Sequence, residues 1–419
     1  MLSSACTSGR TAFAVKSRRV RSRRAPASVS CECRAPDAEE RPSFSQRLGQ
    51  CAAGVLSAAA LTVGIAAGPQ EVVTPSAEAV LISRDPVKNA KAILRYALPI
   101  DNKPIRKIQG ALENISEEVR VPGNRAYGPI LGAARKSASV LKTDKAKIIA
   151  DFAPDKKAVG LANIDKLEAG LPQLIDVVAT KDKNEILYKQ QELLEYVGAI
   201  EESMVGAFPF EVPPEYSNLP QLKGRATLEM KIRLFGAAAE AREGTMIIVA
   251  DGLNAPVSAG DFVDLAAKGF YDGMEIQRAD GFIVQTGKPS KGEFYIDPAT
   301  NKERTIPFEV KVVGDKEPIY EFTLEDLGRF NEQPILPFNA YGTMAMARGE
   351  FDNNSASSQV FFLLKESELT PSGSNLLDGR YAVFGYIVQG QDLLGEMKVG
   401  DKIEYLKVVA GKEYLVLPK

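Results

Sequence analysis

The spacing of apolar residues changes character along the chain. Between residues 85 and 205, apolar side chains recur every three or four positions, which is the spacing of one face of an α-helix. This spacing predicts four to five amphipathic helices with short connections, packed as a bundle around their apolar faces. The four apolar stripes contain Ile105, Ile108, Leu112, Ile115 and Val119; Ala134, Ala138, Leu141, Ala146 and Ile149; Leu161, Ile164, Leu167, Leu171, Leu174 and Val178; and Ile186, Leu193, Val197, Ile200 and Met204.

Prolines mark the boundaries of this helical region. Asp85 followed by Pro86 predicts an N-cap with proline in the first turn, and Pro122 with Gly123 predicts the end of the first striped helix. Residues 208–221 contain four prolines, so we expect an extended, semi-rigid hinge. Its two phenylalanines and one tyrosine are too apolar for a solvated linker, so we expect the hinge to lie along a domain surface.

Beyond residue 222 the period of the apolar positions becomes two. Residues 226–234 alternate, and residues 245–250 form a short β-branched run, so both are predicted strands. Ala255 and Pro256 open a predicted helix that ends at Gly269. The pattern indicates a β-rich domain that contains at least one helix.

The first 79 residues are typical of targeting segments. Residues 1–35 are rich in Arg, Ser and Ala with Glu32 as the only acid, and an apolar run follows at residues 52–67. The run is shorter than the roughly 20 residues that span a bilayer, so we predict no membrane span. Ala77, Glu78 and Ala79 fit a signal-cleavage site. A transit peptide followed by a signal peptide predicts import into the chloroplast thylakoid lumen, with a mature chain from near Val80; a basic nucleic-acid-binding tail is the alternative.

Composition excludes several kinds of chemistry. The chain has no histidine, and its four cysteines all lie within the first 51 residues, so imidazole and thiolate catalysis are excluded from the predicted mature chain. We predict no metal site and no cofactor. The formal charge is −2 for the whole chain and −6 for residues 80–419, which makes nucleic acid an unsuitable partner.

Three blocks in the last 200 residues carry the candidate chemistry. They read IQRADGFIVQ at residues 276–285, SQVFF at 358–362 and LDGRYAVFG at 377–385. In this order they resemble the cyclophilin peptidyl-prolyl isomerase domain, which implies an antiparallel β-barrel capped by helices over residues 222–419. The implied substrates are proline-containing protein segments. The proline-rich hinge then has a second possible place, as a pseudo-ligand in the groove of its own domain.

The resemblance assigns Arg278 as the catalytic residue. Rotation about a prolyl bond breaks amide resonance, a barrier of about 18–20 kcal/mol, and the twisted nitrogen regains its lone pair. A guanidinium aimed at this nitrogen stabilises the transition state more than either planar ground state, without proton transfer. The residues implied to bind substrate are Gln277, Phe282, Gln285, Met346, Ala347, Gln359, Phe361, Leu377 and Tyr381. Among them, Phe282 and Phe361 form the proline seat, and the two glutamines bind the peptide backbone and hold the arginine.

Several positions depart from the family pattern. Gln277 and Tyr381 replace histidines, Leu376 replaces a tryptophan, and Arg348 replaces an asparagine. The connection over residues 287–340 is also longer than usual, and its acidic, aromatic part at 315–332 is placed to shield or extend the groove. These changes leave two alternatives to an active isomerase: a weak or inactive assembly chaperone with an autoinhibitory helical domain, or a stable photosystem subunit.

The whole chain resembles the large multidomain thylakoid-lumen cyclophilins of plants and algae. Residues 272–278, 339–348 and 364–371 carry this resemblance. It implies a role in the assembly and maintenance of photosystem II, with lumenal loops of its membrane subunits as partners. The predicted organisation is a presequence at 1–79, a helical bundle at 80–207, a hinge at 208–221 and a cyclophilin-like domain at 222–419.

Overall fold

The computed structural model describes residues 87–235, 242–298, 300–365 and 375–418. The predicted presequence, the predicted N-cap at Asp85 and most of the 364–371 block lie outside these ranges. Within the described ranges, no helix is both long enough and apolar enough to cross a membrane.

In the residues that the structure describes, six α-helices form the N-terminal part and a seventh lies within the β-rich part. Their bounds are α1 Ala90–Tyr96, α2 Lys103–Glu113, α3 Ile115–Arg120, α4 Tyr127–Ala150, α5 Lys157–Thr180, α6 Lys183–Glu202 and α7 Pro256–Ala267. Asn89 caps α1, because its side chain accepts a hydrogen bond from the backbone N–H of Ala92 at 3.1 Å. The first described helix therefore begins after the predicted Asp85–Pro86 start.

The predicted apolar stripes largely form the core of the bundle. The first stripe is completely buried, although Asn114 divides it between α2 and α3. The prediction of the second stripe is wrong at its C-terminal end. Ala146 is exposed, whereas Ser137 and Ile148 are buried. A five-residue step from Leu141 to Ala146 rotates the side chain away from the buried face, and a seven-residue step to Ile148 returns to it.

Fourteen strands lie in the described part of the C-terminal region. Their bounds are β1 Gln221–Leu222, β2 Arg225–Leu234, β3 Arg242–Asp251, β4 Arg278–Ala279, β5 Ile283–Thr286, β6 Ile296–Asp297, β7 Lys302–Glu303, β8 Glu309–Val310, β9 Ile319–Tyr320, β10 Thr343–Met346, β11 Val360–Leu363, β12 Val383–Gln389, β13 Lys402–Ala410 and β14 Leu415–Val416. Eight of them form one antiparallel sheet in the order β13-β2-β3-β12-β10-β11-β5-β4. Burial along β2 alternates at every residue, as the sequence pattern predicts.

The eight-stranded sheet curls until its two ends meet. Ile276, just before β4, donates its backbone N–H to Asp401 at 2.7 Å, and Ile403 on β13 donates to Met274 at 2.8 Å. The helix α7 packs against β3, β12 and β13 of this sheet. The fold is thus a helical region followed by a curled antiparallel β-barrel, which confirms the predicted fold class.

The helical part is anchored to the barrel through α1. Ala90, Ile93 and Leu94 belong to the same buried apolar cluster as the strands of the barrel. Polar contacts add to this packing: Arg225 Nη2 donates to the carbonyl of Leu94 at 2.5 Å, and Asn254 Nδ2 donates to the carbonyl of Ala97 at 2.9 Å. The first helix therefore packs as part of the barrel core.

The proline-rich segment packs through its aromatic side chains. The ring of Tyr216 lies 4.9 Å from that of Tyr320, and its hydroxyl donates to Glu321 at 3.0 Å. The Lys311 ammonium lies 4.6 Å from the centre of the Phe210 ring. These partners belong to the long 287–340 connection, which favours the packed hinge over the pseudo-ligand.

The long connection is itself fixed to α7. Glu309 is fully buried, and its carboxylate accepts the backbone N–H groups of Val257 and Ser258 at 3.2 and 2.8 Å. Arg304 forms ion pairs with Asp261 at 2.8 Å and Asp264 at 2.6 Å. A carboxylate at a helix N-terminus satisfies donors that have no partner within the helix, so these contacts hold the connection in place.

Candidate functional site

Four neighbouring strands place three of the predicted site residues in one row on the same face of the sheet. Arg278 on β4 lies directly opposite Gln285 on β5, which lies opposite Phe361 on β11, which lies opposite Ala345 on β10. Directly opposed residues in antiparallel strands project to the same face. The register therefore aligns the predicted catalytic cation, one glutamine and one pocket aromatic in a single row.

Arg278 is exposed and ion-paired. Its Nε donates to Asp280 Oδ2 at 2.7 Å, and its Nη2 lies 2.5 Å from the same oxygen. The Arg278 side chain keeps 54% of its surface accessible. About half of the side-chain surface of Arg278 therefore remains accessible beside this ion pair.

The β4–β5 turn fixes the Asp280 carboxylate. Oδ1 accepts the backbone N–H groups of Ile283 at 2.9 Å and Phe282 at 3.0 Å. These two bonds, with a further contribution from Arg278, lower the pKa of Asp280 to about 2. Gly281 has a φ of +78°, a left-handed conformation that glycine adopts at little cost and that closes the two-residue turn.

The predicted glutamines bond each other. Gln285 Nε2 donates to Gln359 Oε1 at 3.0 Å, and Gln359 Nε2 donates to the carbonyl of Glu293 at 3.1 Å. Contrary to the expectation that they hold the arginine, the side-chain partner of Arg278 is Asp280. Both glutamines are partly exposed, so their amides remain near the row as possible peptide partners.

Aromatic rings form the apolar part of the site. The Phe361 ring stacks on Phe338 at 6.0 Å and meets the edge of Tyr381 at 5.4 Å. The Arg348 guanidinium lies 5.0 Å from the centre of the Tyr381 ring. Phe282 is 40% exposed at the β4–β5 turn. An apolar wall thus lies beside the row that contains Arg278.

The remaining predicted residues lie around this wall. Ala347 donates its backbone N–H to Gln359 at 2.9 Å, directly after the buried Met346. Leu377 is half-buried, and its carbonyl accepts the backbone N–H of Tyr381 at 3.3 Å. Gln277 turns toward the end of β5, where its Oε1 accepts the backbone N–H of Lys288 at 3.4 Å.

Sequence reasoning missed two neighbours of the site, Asp280 and Phe338, and recognised Arg348 only as a departure from the family pattern. Asp280 bonds Arg278, Phe338 stacks on Phe361, and Arg348 covers Tyr381. The Asp-Gly pair at 280–281 was a readable signal, because aspartate in such turns accepts nearby backbone N–H groups. Phe338 had no local signal, since it lies in the long connection.

A small cleft lies beside the aromatic wall of the site. Its lining includes Tyr381 from the aromatic wall, Lys311 from the long connection and Asn254. Asn254 also bonds the carbonyl of Ala97, just after α1. The residue that follows α1 therefore contacts a residue that lines this cleft.

Within the described ranges, no group of three or more Asp, Glu, His or Cys side chains is arranged to hold a metal ion. The site consists of one exposed cation, amides and an aromatic wall. Such a set can bind a peptide and stabilise a lone pair without a cofactor.

A curled antiparallel sheet that presents an arginine beside an aromatic wall defines the class of cyclophilin-type isomerases. The family model for cyclophilin type peptidyl-prolyl cis-trans isomerases matches residues 237–410. A second family model, described as the PsbQ-like domain of CYP38-like peptidyl-prolyl cis-trans isomerases, matches residues 89–205.

Relatives resemble the chain over most of its length. The chloroplastic peptidyl-prolyl cis-trans isomerase CYP38 of Arabidopsis thaliana is 48% identical, over 91% of this chain and 88% of the relative. A putative thylakoid lumen isomerase of Synechocystis sp. is 43% identical, over 79% and 84%. CYP37 of Arabidopsis thaliana is 32% identical, over 82% and 74%.

This chain belongs to the CYP38-like family of cyclophilin-type peptidyl-prolyl cis-trans isomerases. The names of its relatives confirm the predicted chloroplast thylakoid lumen as its location.

Proposed function

We propose that this protein isomerises prolyl bonds in lumenal polypeptides with Arg278 as the catalytic group. The observation that carries the proposal is the strand register, which places the exposed guanidinium in one row with Gln285 and Phe361. In the proposed complex the proline ring packs on Phe361, and the amides of Gln285 and Gln359 bond the peptide backbone. The guanidinium then faces the prolyl nitrogen as it becomes pyramidal.

The test is a rate measurement on the chain from Val80 with a short, uncharged X-Pro peptide. We expect the wild type to accelerate isomerisation and Arg278→Ala to lose about a hundredfold in kcat/KM, in the range of one electrostatic donor. Arg278→Lys keeps the positive charge but lacks the planar guanidinium, so its rate is expected to lie between those of the wild type and Arg278→Ala. Equal rates for the wild type and Arg278→Ala count against the catalytic role.

The proposed clients are lumenal loops of photosystem II membrane subunits, whose assembly and maintenance the protein assists. Two observations support this: the family description of residues 89–205 as PsbQ-like, and the lumenal location. Titration of the chain with synthetic proline-containing loop peptides tests it. We expect Phe361→Ala to weaken binding, and a shuffled peptide of the same composition to bind more weakly.

A second candidate is an assembly chaperone of low turnover that the helical domain inhibits. It is favoured by the contact between Asn254 and the end of α1, because Asn254 and Tyr381 line the same cleft. If this contact restrains the site, Asn254→Ala in the otherwise intact mature chain raises the isomerase rate. An unchanged rate, with increased hydrogen exchange in α1 to show that the contact is lost, argues against inhibition.

A further inference from the structure

Asp280 is unusually well fixed for an exposed carboxylate. One oxygen accepts two successive backbone N–H groups of the β4–β5 turn, and the other oxygen binds Arg278. The Asp280 side chain is therefore held by the turn although it is exposed to solvent. The guanidinium that pairs with it is held to the hairpin rather than to Gln285, its neighbour across the strands.

This pairing changes what Arg278 offers to a ligand. The Nε and Nη2 groups both point to Asp280 Oδ2, so the edge of the guanidinium that they form is occupied. A negative charge next to a positive charge also lowers the electrostatic potential that a third group experiences. A prolyl nitrogen in the groove thus meets an ion pair in place of an isolated cation.

The ion pair persists at the pH values of the chloroplast. The two backbone N–H groups and Arg278 lower the pKa of Asp280 to about 2, so the carboxylate stays ionised from pH 4 to pH 8. Acidification of the lumen therefore does not release Arg278.

We propose that Asp280 is a positioning residue that holds the Arg278 guanidinium in an ion pair and thereby limits the rate of prolyl isomerisation. The inference rests on the proposed function, because it assumes that Arg278 acts on the prolyl nitrogen. The residue that limits turnover then lies within residues 276–285, the block that also contains Arg278.

Asp280→Asn separates the two roles of the side chain. The asparagine oxygen still accepts the N–H groups of Phe282 and Ile283, so the turn is kept, whereas the negative charge is lost. In the full mature chain we expect kcat/KM to rise about twofold to fivefold, which corresponds to about 0.4–1 kcal/mol. We expect the dissociation constant of the peptide to stay unchanged, because the apolar wall is untouched.

Salt dependence gives a readout that a structural role does not produce. Both side chains are more than one-third exposed, so 1 M NaCl, with a Debye length of about 3 Å, weakens their attraction. With an uncharged peptide, the wild-type rate is expected to rise with salt toward that of Asp280→Asn. The rate of the variant is expected to remain flat.

Asp144→Asn is the matched control. It removes one negative charge from an ion pair with Lys147 on α4, remote in sequence from the site and on the helical bundle. We expect its rate and its salt response to equal those of the wild type. Similar melting temperatures for the three proteins show that the fold is retained.

The outcomes separate this inference from the proposed function. Equal rates of the wild type and Asp280→Asn at all salt concentrations, with both above Arg278→Ala, overturn the inference and leave the function intact. Rates of both proteins equal to that of Arg278→Ala overturn the proposed function as well.

Discussion

At the scale of single residues, burial makes one carboxylate of the bundle sensitive to pH. The Glu201 side chain is fully buried, and Arg106 Nη1 lies 3.2 Å from its Oε1. Burial raises the pKa of Glu201 to about 7, although Arg106 and Arg95 act in the opposite direction. Because its pKa in an unfolded chain is about 4.3, the folded state binds a proton between pH 4.3 and 7 that the unfolded state releases. Stability therefore rises as the pH falls through this range.

We predict that the free energy of unfolding is higher at pH 6 than at pH 8, with a contribution of about 1 kcal/mol from Glu201. Glu201→Gln reduces this pH dependence, and chemical denaturation at the two pH values measures it. Glu195→Gln, an exposed residue paired with Lys91, is the control. Asp261 and Asp378, whose pKa burial raises to about 7 and about 6, retain part of the dependence. If the free energy of unfolding of Glu201→Gln differs between pH 6 and pH 8 by as much as that of the wild type, the assignment to Glu201 is contradicted.

Single residues also show what the sequence predicts of the site. Arg278, Phe282 and Phe361 were predicted because three short blocks resemble a known domain, and the strand register brings Arg278 and Phe361 into one row. The partner of Arg278 was not found, because the resemblance favours Gln285 and the choice between two acceptors depends on side-chain geometry. Asp280 is only two residues from Arg278 in the chain and is charged, so its carboxylate binds the guanidinium.

At the scale of elements, regular periods are predictable and the long connection is not. The alternation along β2 and the stripes of α2, α5 and α6 follow directly from the sequence. In residues 287–340, paired strands of only two residues, β6 with β7 and β8 with β9, give no period to read. Tertiary contacts such as those of Glu309 with α7 order this part of the chain.

We predict that Glu309→Ala destabilises the protein by about 2–4 kcal/mol, because two buried N–H groups of α7 lose their acceptor. Urea denaturation of the mature chain measures the loss. Glu325→Ala, which removes an exposed carboxylate of the same connection, is expected to change stability by about 0.5 kcal/mol or less. Equal effects of the two substitutions contradict a capping role for Glu309.

At the scale of the whole molecule, α1 joins the helical part to the barrel. The change from helical to strand period near residue 222 gives no sign that a helix 130 residues earlier packs with the strands. In the structure, Leu94 is 5% exposed and belongs to the barrel cluster, and its carbonyl bonds Arg225. A fragment from Leu222 onward therefore lacks part of the apolar core.

We predict that Leu94→Ala lowers the stability of the barrel by about 2–4 kcal/mol, because it leaves a cavity in a shared core. Hydrogen exchange of the amides on β12, which α1 contacts, reports the effect directly. Val159→Ala on α5, where the side chain is 56% exposed, is the control. Faster exchange confined to the helices, with β12 unaffected, contradicts the anchoring role of α1.

The central claim is that the exposed Arg278 guanidinium catalyses prolyl isomerisation in this fold. NMR exchange spectroscopy on a proline peptide with the mature chain tests it most directly, because it detects the cis-trans conversion itself. The structure predicts exchange cross-peaks between the two isomers with the wild type, and their loss with Arg278→Ala while the peptide still binds. Exchange of equal rate with both proteins contradicts the claim.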